Sequence, residues 1–502
     1  MPGDAAILAK GASVSLTGGM TARGLNMVAQ VLMARFLGTA AFGLYAIGWT
    51  LVRLLQEVAT LGLEAGVTYF GASSARSSPS KFKGVLTQSI ALSFLSGFTT
   101  GAVLYFFAPA LAEHVFHKPD ASPVIRAFAP AFPLYAVFSV SGGMTRLSQR
   151  MQYYAYSSMA SSAFALVFFC VLFMLGWGLT GAVVATVGGI ALGALMSIYF
   201  SRGLFPAVFA KGIRAESPGY ALLTYSISVA FAGVAGALLG FMDRLFVASF
   251  CTSAETGIYQ AASQLSILFS LIFGAFDSIF SPMVADLHAR GENQRLVELY
   301  HVCAKWRVYV CAPVFLIVLF APAELVEALY GRAYVNAAIP LMILSAGQLF
   351  AVIAGTGKEM LTMTGRQKTI VAILLVTLML DLVLNLLFVP RFGLLGAASA
   401  AAVSVIVFNI STATAVTKHV SISLFDMRYA KSLGAAAAAC GVLYVLRPLQ
   451  IGSPAARLFM VAIIGSAAFT GSLIALGLDA EDWAVLAMLR ARFRPLQPPR
   501  SR

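Results

Sequence analysis

The chain has 502 residues, of which 59% are hydrophobic and only 11% charged, against roughly 25% charged in a soluble protein. That composition excludes a soluble enzyme. It also leaves no room for a sizeable soluble catalytic domain, because crossings of a hydrocarbon slab about 30 Å thick, at about 20 residues each, consume nearly the whole length. The formal charge of +14 does not mark a nucleic-acid binder, since the cations fall in short clusters between apolar runs rather than on one basic face.

Apolar runs of spanning length occur at 14–36, 42–63, 85–111, 124–143, 157–175 and 179–200, and the rhythm repeats at 220–242, 257–280, 308–320, 339–354, 369–389 and 394–416. A last pair follows at 433–446 and 458–476. The pattern predicts an all-α polytopic membrane protein of about fourteen transmembrane helices. The expected organisation is an N-lobe over 1–216, a C-lobe over 217–430, and a final helix pair with a basic tail over 431–502. The amino end, MPGDAAILAKGAS, has no short apolar core followed by a small-residue cleavage site, so the first run is expected to be kept as a span. Five cysteines, Cys170, Cys251, Cys303, Cys311 and Cys440, show no metal-ligand spacing and are expected to be small core residues. In the tail, Trp483, Leu486 and Leu489 alternate with Arg490, Arg492 and Arg494, the pattern of an interfacial helix ahead of a disordered basic end.

With the amino terminus inside, 24 of the 34 Lys and Arg residues fall on the inner side and 8 on the outer, while Arg23 and Arg53 lie within spans. The inner set includes Arg146, Lys211, Lys305 and Arg307, and the outer set includes Arg35, Lys118 and Arg447. Such a bias predicts a multi-pass protein of the cytoplasmic (inner) membrane with both termini cytoplasmic.

An internal repeat organises the first twelve spans. Gly43-Leu44-Tyr45 and Gly257-Ile258-Tyr259 open spans two and eight at an offset of 214, Gly178-Leu179 and Gly393-Leu394 open spans six and twelve at 215, and Arg150 and Arg366 follow spans four and ten at 216. Because six is even, both halves enter the membrane from the same side. They must therefore be related by a pseudo-two-fold along the membrane normal, with a cleft between them, which is the architecture of a transporter.

Charges at mid-membrane depth are expensive and mark function. Arg23 and Arg53 lie near the midpoints of spans one and two, and Glu57 is one turn from Arg53 on the same face, placed to pair with it. The structural alternative is an ion pair that merely ties the two spans together. At offset 214 their equivalents are Ala237, Ile267 and Leu271, so the repeat packs without these charges. A net-positive cluster in one lobe facing the cleft suits a phosphate or other anion, and Arg23, Arg53 and Glu57 are the candidate substrate-binding residues. Asp381, with Asn385 one turn on, sits mid-span eleven opposite the apolar Leu166 of the first half, and is a candidate for a coupling proton or cation. A helix-to-helix hydrogen bond is the alternative. Asp277 near the inner end of span eight is a further ion-coupling candidate, and Asp243-Arg244 reads as a helix anchor at the outer interface.

Other pattern matches fail on context. Gly176-Trp177-Gly178-Leu179-Thr180-Gly181 fits GxGxxG but joins two apolar spans without a preceding strand, so a tight turn is expected. Gly357-Lys358 is followed by Glu359 where a phosphate-binding loop needs Ser or Thr, and His114 and His117 have no further ligands nearby. No metal, cofactor or catalytic residue is expected.

The stretch Ala34-Arg35-Phe36-Leu37-Gly38-Thr39-Ala40-Ala41-Phe42-Gly43-Leu44-Tyr45 resembles the signature of the polysaccharide biosynthesis, oligosaccharide flippase (Wzx-type) proteins. Asp243-Arg244 through Gly257-Ile258-Tyr259-Gln260 and Asn385 through Pro390-Arg391-Phe392-Gly393-Leu394 are similar to the family's later span junctions. The resemblance covers nearly the whole chain. It implies membership of the multidrug/oligosaccharidyl-lipid/polysaccharide (MOP) exporter superfamily, and a flippase that moves a polyprenyl-diphosphate-linked oligosaccharide across the membrane by alternating access, for cell-surface polysaccharide. The implied partners are that anionic lipid, membrane lipids, and a polysaccharide polymerase or glycosyltransferases. Lipid II flippases carry cavity arginines in the first two spans, and Arg23 and Arg53 stand at comparable places with different flanking residues. Open alternatives are a multidrug or cation antiporter of the same superfamily, a lipid II flippase, and a membrane enzyme. The enzyme would need a larger outer loop than the break near 111–123.

Overall fold

The computed structural model describes residues 2–148, 150–206, 214–217, 219–420, 427–446, 453–477, 479 and 482–483. All regular elements among them are helical, as hydrocarbon requires, since only a helix satisfies every backbone polar group within its own segment. Among the described residues, eleven helices are long and apolar enough to cross a membrane. Two of these hold two crossings each, and the shorter Ala430–Leu446 supplies one more, which accounts for the fourteen apolar runs.

The first half comprises α1 (Pro2–Thr60), broken at Gly38 into two crossings, α2 (Leu63–Ser77), α3 (Pro79–Ala110), α4 (Ala121–Phe128), α5 (Ala131–Leu147), α6 (Gln152–Met174) and α7 (Gly178–Leu204). The second comprises α8 (Tyr220–Phe250), α9 (Ser253–Ala289), α10 (Asn293–Phe320), α11 (Pro322–Tyr330), α12 (Ala338–Ile353), α13 (Gly357–Met363) and α14 (Gln367–Val420), the last broken at Gly393. The pair α15 (Met427–Leu446) and α16 (Pro454–Ala475) follows. The second crossing is longer than its apolar run. It continues past a break at Leu61 (φ 49) and Gly62 (φ 65) into α2.

The repeat landmarks have physical causes. Gly178 and Gly393 both take positive φ, 46 and 55, where a Cβ would be strained, and each starts a helix immediately after a chain reversal. Gly43 and Gly257 sit where the two halves cross. A Cβ on Gly43 would lie 1.8 Å from Ser253 O, and one on Gly257 would lie 2.1 Å from Thr39 O. Since Thr39 and Ser253 are also 214 apart, the contact is reciprocal, as a two-fold axis through this point demands.

Further bonds join the halves at the end predicted to face outward. Tyr334 donates to Ala34 O at 2.8 Å, Arg35 to Ala328 O at 3.4 Å, and Lys118 to Ala248 O. Deeper in, Gln260 donates to Gln30 at 3.3 Å. Lys118 and Arg35, expected among the outer loop cations, thus belong to the seal between halves. At the opposite end the halves meet along α2 and α8, where Gly66 packs on the Ser226 side chain and the rings of Tyr69 and Tyr225 stack at 4.8 Å.

Lys305 and Arg307 depart from their expected place in a loop. The ninth crossing begins at Asn293, ahead of its apolar run, and both cations are buried on α10, at 0% and 3% exposure. Acids make this tolerable. Lys305 pairs with Asp479 at 3.2 Å and Asp482 at 2.9 Å, while Lys431 of α15 reaches Asp479 at 2.7 Å. The chain following α16 is thereby tied to α10 and α15. The hydrogen bond from Lys431, with Lys305 beside it, holds the Asp479 carboxyl below the usual carboxylate range. Beneath this charge cluster α10, α15 and α16 share an apolar core around Leu316, Ala439 and Phe469. Lys211, Arg447 and the tail from 484 onward, with its expected interfacial helix, lie outside the described residues.

Candidate substrate cavity

The two mid-span arginines each lie against a helix of the second half, and Arg23 is exposed. Arg23, on the first arm of α1, places Nη1 at 3.6 Å from where a Cβ of Gly274 on α9 would stand. It has no hydrogen-bond or ion-pair partner among the described residues. Arg53, on the second arm, lies over the Phe241 ring of α8 at 5.7 Å and donates to Gln56 at 3.3 Å. Tyr154 of α6 lies within electrostatic range of Arg146, Arg53 and Arg23.

The expected Arg53–Glu57 pair does not form. The two share a helical face, but Gln56 takes the Arg53 contact and in turn donates to Glu57 at 3.3 Å. Glu57 is turned to α8, with Oε2 at 2.6 Å from the position a Gly233 Cβ would take. A missing side chain on the facing helix therefore makes the room for this carboxylate. Arg146, expected in a loop, is instead part of the wall. It pairs with Glu64, which also accepts from Ser139 at 2.5 Å. Glu57, Glu64 and Arg146 line a cavity of about 800 Å³ between α2 and α8. Counting Arg23, Arg53 and Arg146 against Glu57 and Glu64, the region carries a net single positive charge.

A second polar site lies in the other half. Ser404 donates to Asp381 Oδ1 at 2.8 Å, Asn385 to the Asp381 carbonyl at 2.9 Å, and Tyr259 to Asp243 Oδ2 at 2.6 Å. Asp243 and Asp381 are close enough to interact electrostatically. Asp243 Oδ1, Asp381 Oδ2 and Asn385 Oδ1 are buried without a hydrogen-bond partner among the described residues. Buried oxygens without a partner are candidate positions for a proton or a cation.

Asp243-Arg244 is consequently no interfacial anchor. Both residues are buried, and Arg244 donates to Ser263 at 2.9 and 2.6 Å while lying over the Phe241 ring at 4.7 Å. The repeat held the missed signal, since the equivalents of Asp243 and Arg244 at offset 214 are Ala29 and Gln30, so the second half adds charges the fold does not need. Asp277 stands apart from Asp381 and Asn385. It is paired with the buried Arg307 at 3.6 Å, which itself lies over Phe273 at 4.4 Å. Arg307 is buried, and Asp277 is its counter-ion.

Twofold-related six-span halves, a polar cavity between them and a C-terminal helix pair define a polytopic all-helical fold. The solved lipid II flippase MurJ in an inward closed conformation superposes with a TM-score of 0.75 at 13% identity, over 95% of this chain and 99% of that one. An inward-facing multidrug resistance MATE family transporter of the MOP superfamily gives 0.66 at 17% identity, over 82% and 98%. The chain belongs to the polysaccharide biosynthesis protein family, whose model matches residues 8–288. Among curated relatives, stage V sporulation protein B of Bacillus subtilis (strain 168) is 23% identical over 467 residues, 86% of this chain and 88% of that protein. The probable low-salt glycan biosynthesis flippase Agl15 of Haloferax volcanii is 23% identical over 254 residues, spanning about half of each chain, 50% and 53%.

Proposed function

We propose that this protein flips a polyprenyl-diphosphate-linked oligosaccharide across the cytoplasmic membrane by alternating access, without chemistry on the substrate. The observation that carries the reading is that Arg23 and Arg53 both lie against second-half helices, with no ion-pair partner for either among the described residues. Guanidinium forks match phosphate oxygens, and such charge-assisted bonds are strong where water is scarce. The diphosphate engages the arginines while the lipid tail stays in the bilayer. The lobes, 1–216 and 217–430, then rock about the Gly43–Gly257 crossing, and residues 431–502 travel with the second lobe through the Lys305 contact. Both termini face the cytoplasm, in keeping with the charge bias.

A monovalent cation or proton binds among Asp243, Asp381 and Asn385 and couples the cycle to an ion gradient. The positive charge of the Arg23–Arg53 centre disfavours an exporter of cationic drugs. Partners are the lipid-linked glycan, membrane lipids, and the polymerase or glycosyltransferases that share its substrate.

The test is leaflet transfer of a labelled polyprenyl-diphosphate disaccharide in vesicles containing the purified protein. Each lost charge-assisted bond of about 1.5–3 kcal/mol weakens diphosphate binding roughly 10- to 150-fold. Arg23→Gln and Arg53→Gln should each cut transfer to near background while the protein remains folded. Normal transfer by the double variant would refute the anion site.

A further inference from the structure

The cavity between α2 and α8 differs in sign from the arginine centre above it. Glu57 and Glu64 face it from either side of the break at Leu61–Gly62, against Arg146 alone, so its own lining is net negative while Arg23 and Arg53 lie beyond it. Glu57 is about 6 Å along the helix from Arg53, one turn toward α2. A diphosphate is repelled from such a lining and held at the arginines. What the lining does offer is carboxylate acceptors, the hydroxyl of Thr68, and two tyrosine rings, Tyr69 from one half and Tyr225 from the other, stacked face to face at 15°.

Hydroxyl-rich rings with apolar C–H faces need those two things together. A carboxylate accepts several hydroxyl hydrogen bonds at once, and the ring face that each stacked tyrosine turns away from the other is left to cover a C–H surface. The volume of about 800 Å³ lies within the range of small-molecule sites and admits a short glycan. We propose that this Glu57–Glu64–Tyr69–Tyr225 cavity is the glycan subsite, and that its charge selects neutral or amine-bearing sugars and rejects uronic-acid-type sugars. Tyr69 and Tyr225 come from opposite halves, so the subsite is complete only while the α2–α8 contact is closed. The inference rests on the flippase reading for how the glycan is delivered, but its binding chemistry is testable without the lipid.

The experiment titrates the full-length protein in nanodiscs with four probes taken separately: chitotetraose, the fully deacetylated glucosamine tetramer, tetragalacturonate, and sugar-free polyprenyl diphosphate. Saturation-transfer NMR follows the sugars and a radiolabel follows the lipid. The first two sugars should bind at least about tenfold tighter than tetragalacturonate, a difference of about 1.4 kcal/mol. Tyr69→Ala and Tyr225→Ala should lose sugar binding and keep the lipid. Glu57→Gln and Glu64→Gln, which preserve shape, should narrow the charge discrimination, and they decide the matter if the tyrosine variants fail to fold. Lipid binding without sugar binding, or equal binding of tetragalacturonate, overturns the glycan subsite and leaves the flippase reading intact. Sugar binding without lipid binding supports the subsite and overturns the diphosphate site.

Discussion

A methyl group at the crossing of the two halves should act as a wedge. In Gly43→Ala the new Cβ would lie 1.8 Å from Ser253 O, whereas ordinary contact begins near 3.4 Å, so the helices must part by about 1.5 Å at that point. Backbone meets backbone there, and no rotamer change relieves the clash. Overpacking of this kind costs about 1–3 kcal/mol. The cost falls only on the state in which the outward end is sealed, because opening that end separates Thr39 and Gly43 from Ser253 and Gly257. A bias of 1–3 kcal/mol shifts a two-state equilibrium roughly 5- to 150-fold toward the open state. Spin labels at Glu113 and Arg332, exposed on the two halves at that end, report the shift as a longer distance population in a variant with the native cysteines replaced. Gly257→Ala, whose Cβ would lie 2.1 Å from Thr39 O, should move the distribution the same way and somewhat less. Unchanged distances in both variants, with the proteins folded, would refute the crossing as the outward seal.

Two further outcomes are expected. Asp381→Asn removes a carboxylate whose Oδ2 has no hydrogen-bond partner among the described residues and should uncouple transfer from an imposed ion gradient, while diphosphate binding at Arg23 and Arg53 persists. An ion dependence identical to wild type would exclude the site. For the C-terminal anchor, Asp479 has a depressed pKa in the folded protein, so its stabilising effect is present above the unfolded carboxylate value of about 4 and is lost as pH falls through the folded value. Thermal unfolding should therefore show stability falling below about pH 4, with a flatter profile in Asp479→Asn. Parallel profiles would remove the ion cluster from the account of how α15 and α16 are held.

The cavity residues were unevenly legible. Arg23 and Arg53 stand out because a guanidinium in an apolar run is costly at that depth, and comparison with the apolar equivalents Ala237 and Ile267 sharpens the contrast. Arg146 and Glu64 were hidden. Each lies near the end of a helix, where a charge is ordinary, and only the packing of α5 on α2 brings them into one wall. Asp243 was likewise passed over, because an Asp beside an Arg resembles a self-satisfied surface pair until Tyr259 and Asp381 are seen around it. The pairing of Asp277 was hidden too, since its buried partner Arg307 lies in a stretch too polar to be recognised as membrane helix.

Helix number, handed repeat and the half-by-half entry of the chain follow from local quantities. Hydrocarbon thickness sets the length of each apolar run, and an even count of spans per repeat sets the direction of the symmetry axis. Which charges are paired, which face the cavity and which merely neutralise a buried partner depend on neighbours hundreds of positions away, such as Asp479 and Asp482 on Lys305. A charge is priced by its surroundings, and in this protein those surroundings are other helices, so only their packing distinguishes a binding group from a strut.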